Sequence, residues 1–370
     1  MRVLLIGPLP PPYHGVSAMT EMTVESLRHS GQQLWHVDTA DRRGIANIGK
    51  VDLGNVTLGI RHAGRVWLTA WRTRPDVTLI PISQVTLSFL RDVFWILGPI
   101  LLRSRLILHL HGSNFRRFCE SAPWPLNALM RRLVRRAIRV FVLTAGAADR
   151  LKDLTEHDRI RVISNAALDP NGYQSSPTPP RRSAFRCLYL GSLADSKGYL
   201  DVLEAAALLR SHIPNLEMVL AGEWYDSREE AQSIIDRESL ARTVRVVGVV
   251  SGPAKAQVLA EADVLVFPPR APEGQPLVLL EGMAASLPIV TTASGYISET
   301  VIEGENALFV PPHDPRAIAD AVRRLWSDPG LRKRMGERSR ELYLERYTPD
   351  AFRSRLGQLM SELELELRSS

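Results

Sequence analysis

The sequence predicts an α/β protein built as two doubly wound parallel-sheet domains. Short β-branched apolar runs alternate with amphipathic helical stretches, the alternation begins afresh near the middle, and a proline-rich interval separates the two series. A length of 370 residues also suits two ordinary cores better than one large one.

In the first series, Val3–Ile6, Val77–Ile80, Leu106–His109 and Val140–Leu143 read as strands, with amphipathic segments such as Ala18–His29 and Leu126–Arg136 between them. It closes near Val162 to Asn165. The stretch from Asp169 to Arg182 carries Pro170, Asn171, Gly172 and Pro177-Thr178-Pro179-Pro180, turn and breaker residues that predict a hinge. The second series repeats the pattern with strands at Cys187–Leu190, Glu217–Ala221, Val244–Val247, Val264–Phe267 and Pro288–Thr291. From Pro315 onward the chain reads helical, and Pro349 redirects it into a last Leu- and Glu-rich segment, Asp350–Arg368. The expected bounds are thus 1–168, a linker at 169–184, a second domain at 185–348 and a terminal helix at 349–370.

With 45% hydrophobic and 23% charged residues, the composition is that of a soluble globular protein. A net charge of +6 favours an anionic partner without choosing among phosphate-bearing substrates, nucleic acid and membrane surfaces. Only Cys119 and Cys187 are present, which indicates neither a disulfide framework nor a four-ligand zinc site and points to a reducing cytoplasm. Met1 to Pro8 passes from a short apolar run into a proline turn and reads as a first strand, not a secretory leader. The apolar stretch from Val93 to Leu102 is too short to span a bilayer and is expected to be a buried core helix in preference to a membrane-dipping one.

The most informative segment follows the strand Val264–Phe267. A Pro/Gly loop leads to a helix beginning near Leu277, with Pro276 close to its first position, where a missing N–H costs nothing. A helix start presents unpaired N–H groups and the positive end of the helix dipole, which suits a phosphate or a sugar oxygen. Glu273 before that helix and Glu281 within it would be unwelcome beside a phosphate unless they accept hydrogen bonds from sugar hydroxyls.

The Glu273 to Glu281 spacing resembles the Glu-x7-Glu motif of retaining family 4 glycosyltransferases, which have the GT-B fold of two Rossmann-like domains facing across a cleft. Gly191-Ser192-Leu193-Ala194-Asp195-Ser196-Lys197-Gly198 is similar to the family's Gly-x-Leu-x-x-x-Lys-Gly segment, and Ala221-Gly222-Glu223 to its Ala-Gly-Glu turn. Ile289-Val290-Thr291-Thr292, with Glu299 and Gly304, continues the likeness across the C-terminal half. In the N-terminal half, Leu9 to Ser17 resembles the family's glycine loop through Gly15, and His111-Gly112 its His-Gly at a strand end.

The resemblance implies a nucleotide-diphosphate sugar as donor, bound mainly by the C-terminal domain, and an acceptor bound by the N-terminal one. Lys197 would neutralise the diphosphate, Glu281 would accept from ribose hydroxyls and Glu273 from the transferred sugar. Gly15, Ser192, Gly222, Glu223, Gly274, Gln275, Pro276 and Leu277 complete the expected donor site, and His111 would reach the sugar near the reaction centre. No cofactor and no metal are expected, since the Asp-x-Asp pair of metal-dependent transferases is missing. The terminal helix is expected to cross back to the N-terminal domain.

Departures from the pattern bear on the donor. Ser192 stands where the family has Arg, with Arg270 a candidate to supply the missing charge; His14 replaces the first loop glycine, and Tyr296 a second glycine after Gly295. Arginines at 116, 117, 131, 132, 135, 136 and 139 are read either as a solvated helix face or as contact with anionic lipid, at the inner face of a membrane, or with a polyprenyl-diphosphate-linked acceptor. Nucleic acid is not expected, because no recognition motif accompanies the charge. The leading reading is sugar transfer to a glycan or lipid-linked acceptor in cell-surface polysaccharide synthesis. Its rivals are a sugar-nucleotide epimerase or hydrolase of the same fold, and a silent nucleotide-sugar-binding scaffold.

Overall fold

The computed structural model describes residues 1–43, 53–173, 184–226 and 228–369. The chain divides into two compact units, Met1–Asn165 with Pro349–Ser370, and Ala166–Thr348.

Unit 1 runs β1 (Arg2–Gly7), α1 (Gly15–His29), β2 (Gln33–Asp38), α2 (Leu53–Thr73), β3 (Val77–Pro81), α3 (Thr86–Leu101), β4 (Arg105–Leu110), α4 (Phe115–Ser121), α5 (Trp124–Arg136), β5 (Arg139–Val142), α6 (Ala145–Asp149) and β6 (Ile160–Val162). Its sheet has the order β2-β1-β3-β4-β5-β6, with every described pairing parallel. Helices cover both faces of such a sheet, which is why β1, β3 and β4 are almost continuously apolar.

Unit 2 runs β7 (Phe185–Leu190), α7 (Tyr199–Leu209), β8 (Leu216–Ala221), α8 (Arg228–Arg237), β9 (Val244–Gly248), α9 (Gly252–Ala260), β10 (Val264–Phe267), α10 (Leu277–Ala284), β11 (Ile289–Thr291), β12 (Ala307–Phe309), α11 (Pro315–Ser327) and α12 (Pro329–Arg346). Its parallel sheet is ordered β12-β11-β10-β7-β8-β9, the 3-2-1-4-5-6 order of dinucleotide-binding sheets when its strands are counted from β7. Two adjacent strands, β7 and β10, therefore send their connections in opposite directions, and the crevice at their carboxyl ends is where open α/β sheets bind ligands.

The last helix, α13 (Pro349–Ser369), starts at Pro349 and returns to unit 1. There it packs on α1, and the Met1 ammonium donates to Glu364 at 3.1 Å. Of the linker expected at 169–184, residues 174–183, including Pro177 to Pro180, lie outside the described residues. Its first residues are ordered within unit 2, where Asp169 accepts from Arg340 at 2.5 Å and Pro170–Tyr173 forms a short 3-10 turn.

One helix departs from expectation. The stretch from Val93 to Leu102 is helical within α3, but it is not a buried core helix: Phe89, Trp95 and Ile96 face the core while Leu90, Phe94, Leu97 and Leu101 are exposed. Apolar residues occupy both faces of this helix, and only one face can meet the sheet.

Candidate functional site

The loop after β7 and the loop after β10 meet at the switch point of unit 2. Arg270 and Ala271 donate their backbone N–H groups to Ser196 O at 3.0 and 3.1 Å, fastening the two loops together. Gly198 adopts a left-handed conformation (φ 76°), and a Cβ there would run into the Pro268 carbonyl oxygen. Only glycine fits both demands. Below the second loop, Thr291 donates to Phe267 O at 2.6 Å and Thr292 to Pro269 O at 2.7 Å, so buried hydroxyls hold the ends of the strand and loop.

This scaffold brings Lys197 and Glu273 into direct contact. Lys197 Nζ donates to Glu273 Oε1, with the carboxylate side chain 15% exposed and the lysine 32%. The backbone of Glu273 is held in turn by Ser294 O and by the Tyr296 N–H, which donates to Glu273 O at 3.0 Å. Gly295 lies so close that a Cβ would strike the Glu273 backbone, and it too sits in the left-handed region (φ 73°). Tyr296 thus helps to position Glu273 through its own backbone.

The second carboxylate has a partner that sequence reasoning missed. Glu281, in the first turns of α10, accepts from Lys255 Nζ on α9 at 2.6 Å. The two glutamates each carry a lysine, so the site is a row of two neutralised pairs. Helix α10 begins at Leu277 with Pro276 beside its first position as the N-cap residue, and no side chain caps the helix start. The N–H groups of the first turn have no intrahelical acceptors. Gly274 and Gln275 are buried, and the Gln275 amide is turned inward towards Thr300 at 3.4 Å.

Arg270, the candidate for the missing diphosphate charge, is engaged with carboxylates of its own unit. Its guanidinium forms a two-point contact with buried Asp201 (2.8 and 2.6 Å) and a further one with Asp195, so its charge is already matched by two carboxylates. It braces the loop to α7 instead. Ser192 accepts at its backbone oxygen from the Tyr189 hydroxyl at 2.8 Å, and burial together with the nearby Glu273 charge raises the Tyr189 pKa. Glu223 O accepts from Leu193 N at 2.8 Å, and the Gly222 N–H donates to Gly248 O at 2.8 Å, which places the Ala-Gly-Glu turn beside the β7 loop.

In unit 1, His14, His109 and His111 cluster at the strand ends. His14 caps α1, accepting from Ser17 N at 3.3 Å through Nδ1, and Gly15 is the first helical residue, exposed and with open space around its Cα. The His109 and His111 rings lie 3.9 Å apart, and His109 Nε2 is buried with no hydrogen-bond partner. Burial, reinforced by the neighbouring His14, pushes His111 down to about 4. Burial also lowers His14 and His109, and His62 falls to about 4 from burial and the charges of Arg65 and Arg91. All four imidazoles are neutral at pH 7.

These depressed values set the sign of a pH effect. Below the ordinary histidine value of 6.5 the unfolded chain takes up protons that the folded one refuses, so stability falls as pH drops from about 6.5 towards 4. Between pH 7 and 5 the loss is about 2 kcal/mol for each of His62 and His111. Urea denaturation should show the decline, and a smaller one in His62→Gln; a decline of undiminished size in that variant would mean that His62 does not contribute.

The fold and the paired loops define the class: a protein of the GT-B fold, with two Rossmann-like sheets. Residues 177–342 match the model of the family described as glycosyl transferases group 1. That segment is a little under half of the chain. It is 29% identical over 245 residues to the alpha-D-kanosaminyltransferase of Streptomyces kanamyceticus, a match spanning 64% of this chain and 63% of that protein's length. Among solved structures, Anabaena HepE in complex with UDP is similar with a TM-score of 0.75 at 17% identity, covering 98% of this chain and 100% of that one. The sucrose-phosphate synthase of Thermosynechococcus elongatus is similar with a TM-score of 0.77 at 17% identity, covering 99% and 100%.

Proposed function

We propose that the protein is a retaining glycosyltransferase that moves a sugar from a nucleotide-diphosphate donor to a glycan or lipid-linked acceptor in cell-surface polysaccharide synthesis. The observation that carries this is the Lys197–Glu273 pair at the switch point of the family-matched unit, one loop away from an uncapped helix start. The UDP bound by Anabaena HepE and the activity in the name of the Streptomyces relative support the donor class.

The two ion pairs suggest how the donor is received. A diphosphate is a stronger anion than one carboxylate, so it takes Lys197 over from Glu273 and leaves that carboxylate free to accept from hydroxyls of the sugar. Glu281, oriented by Lys255, accepts from the ribose, and the first-turn N–H groups at Leu277 stabilise charge on the departing diphosphate. Chemically, the bond between the anomeric carbon and the phosphate oxygen breaks and a bond to the acceptor hydroxyl oxygen forms on the same face. The hydroxyl proton passes to the leaving phosphate, which makes a separate protein base and a metal unnecessary. In unit 1, neutral His111 is assigned a hydrogen bond to the sugar, and exposed Gly15 a close backbone approach to phosphate.

A thermal-shift screen of UDP-, GDP- and dTDP-sugars tests the donor assignment, since a ligand that binds only the folded state stabilises it by about 2.7 kcal/mol at a hundredfold excess over Kd. One nucleotide series should raise the melting temperature, and the response should be lost in Lys197→Ala. If every nucleotide leaves the transition unmoved, the donor assignment fails.

A further inference from the structure

The outer faces of α2 and α3 are unusual for a soluble α/β unit. On α2, Val56, Ile60, Trp67, Leu68 and Trp71 follow one another at helical spacing, and all are at least a third exposed. On α3, Leu87, Leu90, Phe94, Leu97 and Leu101 form a second such row, with Leu101 77% exposed. The rows adjoin. The Trp67 and Phe94 rings lie 5.2 Å apart, and Trp67 Nε1 donates to Trp95 O at 3.1 Å. Crossover helices normally present a polar outer face; here two neighbouring helices present a continuous apolar one.

Charge decides what covers it. Arg61, Arg65 and Arg72 lie on the flank of α2, and Arg103 follows α3. From Leu53 to Arg105 the acids are Asp76, which pairs with Arg2, and Asp92, which is buried and bonded to the Ser83 N–H and Arg91. A second copy of the chain would set arginine against arginine across a two-fold axis, with no exposed carboxylate on this face among the described residues to answer it. An apolar, aromatic-bearing surface with an arginine rim fits the boundary between acyl chains and anionic headgroups. No described helix is long and apolar enough to cross a membrane, so the contact would be interfacial. The basic cluster around α5 is a weaker candidate: its flanking arginines are matched, Arg116 of α4 by Glu120 and Asp153 and Arg139 of β5 by Glu366, and Trp124 is the one large exposed apolar side chain of α5 among the described residues.

The apolar rows also lead inward. Val56 and Ile60 of α2 and Leu87 and Phe94 of α3 wall a cavity of about 440 Å³ that reaches back to Gly7 and Pro81 at the switch point of unit 1. We infer that the paired outer faces of α2 and α3 dock the protein on an anionic lipid bilayer, with the cavity open to an amphiphile held in that bilayer. The inference deepens the proposed use of a lipid-linked acceptor. It is tested with no sugar donor present, so that its failure and that of the transferase reading are read separately.

The full chain should sediment with phosphatidylcholine vesicles containing phosphatidylglycerol and much less with phosphatidylcholine alone, and added salt should weaken the association by screening. Replacing exposed side chains in the combined variant Leu68→Ser, Trp71→Ser, Leu101→Ser should reduce binding roughly tenfold or more. A second variant, Arg61→Gln with Arg65→Gln, keeps every apolar contact and should lose the preference for anionic vesicles. The inference is overturned if the parent protein does not sediment with the anionic vesicles, or if the serine variant sediments as the parent does. It is equally overturned if sedimentation velocity shows a dimer that the serine variant dissociates.

Discussion

Lys197→Ala should weaken binding of the nucleotide-sugar by about 1.5–3 kcal/mol, roughly ten- to a hundredfold in Kd. Lysine acts here as a point charge held at the switch point, and its position depends on backbone ties between two loops that the substitution leaves in place. The fold should therefore survive. What the variant loses is the cation, and what it exposes is Glu273, a carboxylate 15% exposed that would then face the diphosphate without a neutralising partner. Repulsion adds to the missing attraction, which is why a value at the upper end is expected. Isothermal titration with the nucleotide diphosphate alone measures the term directly. An unchanged Kd would remove Lys197 from the phosphate site and leave its contact with Glu273 as a structural ion pair of small worth.

The parts of this architecture that could be read from the sequence are those where both faces of a strand are buried. β7 is buried at every position, and its Cys187–Leu190 portion announces itself as an apolar run. Edge strands give no such signal: β2 is mostly half-exposed and mixes Gln33, His36 and Asp38 with apolar residues, and β12 is only three residues long at the other sheet's edge. For α3 the difficulty was of another kind, because apolar residues on both faces do not reveal which face the sheet covers.

Within the candidate site, the short-range motifs were legible because each sits in one loop. Pairings between loops were not. Lys255 belongs to α9, one strand and one helix before Glu281, and nothing about an exposed-looking lysine in Gly252–Ala260 marks it as a partner. The partners of Arg270 were hidden for the same reason. Its proximity to Glu273 in sequence suggested a phosphate cation, whereas Asp195 and Asp201, about 70 residues upstream, are brought to it by the β7–α7 connection. A buried Asp201 on an otherwise apolar helix face was the available sign that some cation would be claimed there.

Glu273→Gln should separate binding from chemistry. In the absence of donor the carboxylate competes for Lys197, so the amide, which carries no charge, should leave the affinity for the nucleotide diphosphate unchanged or slightly tighter. In the transition state the demand is reversed. As the diphosphate departs, the anomeric carbon gains positive charge, and a carboxylate bonded to the sugar hydroxyls stabilises that charge more than a neutral amide can. Turnover should fall about 10²- to 10³-fold, the range for loss of one preorganised electrostatic contact. The expected signature is therefore opposite to that of Lys197→Ala: kcat collapses while donor binding is kept. Steady-state kinetics with the responding nucleotide-sugar, beside titration of the nucleotide, resolves the two. Normal turnover in Glu273→Gln would show that the ion pair serves only to hold the loop, and a loss of donor affinity equal to that of Lys197→Ala would show that the two residues act as one structural unit, with no division of labour between phosphate and sugar.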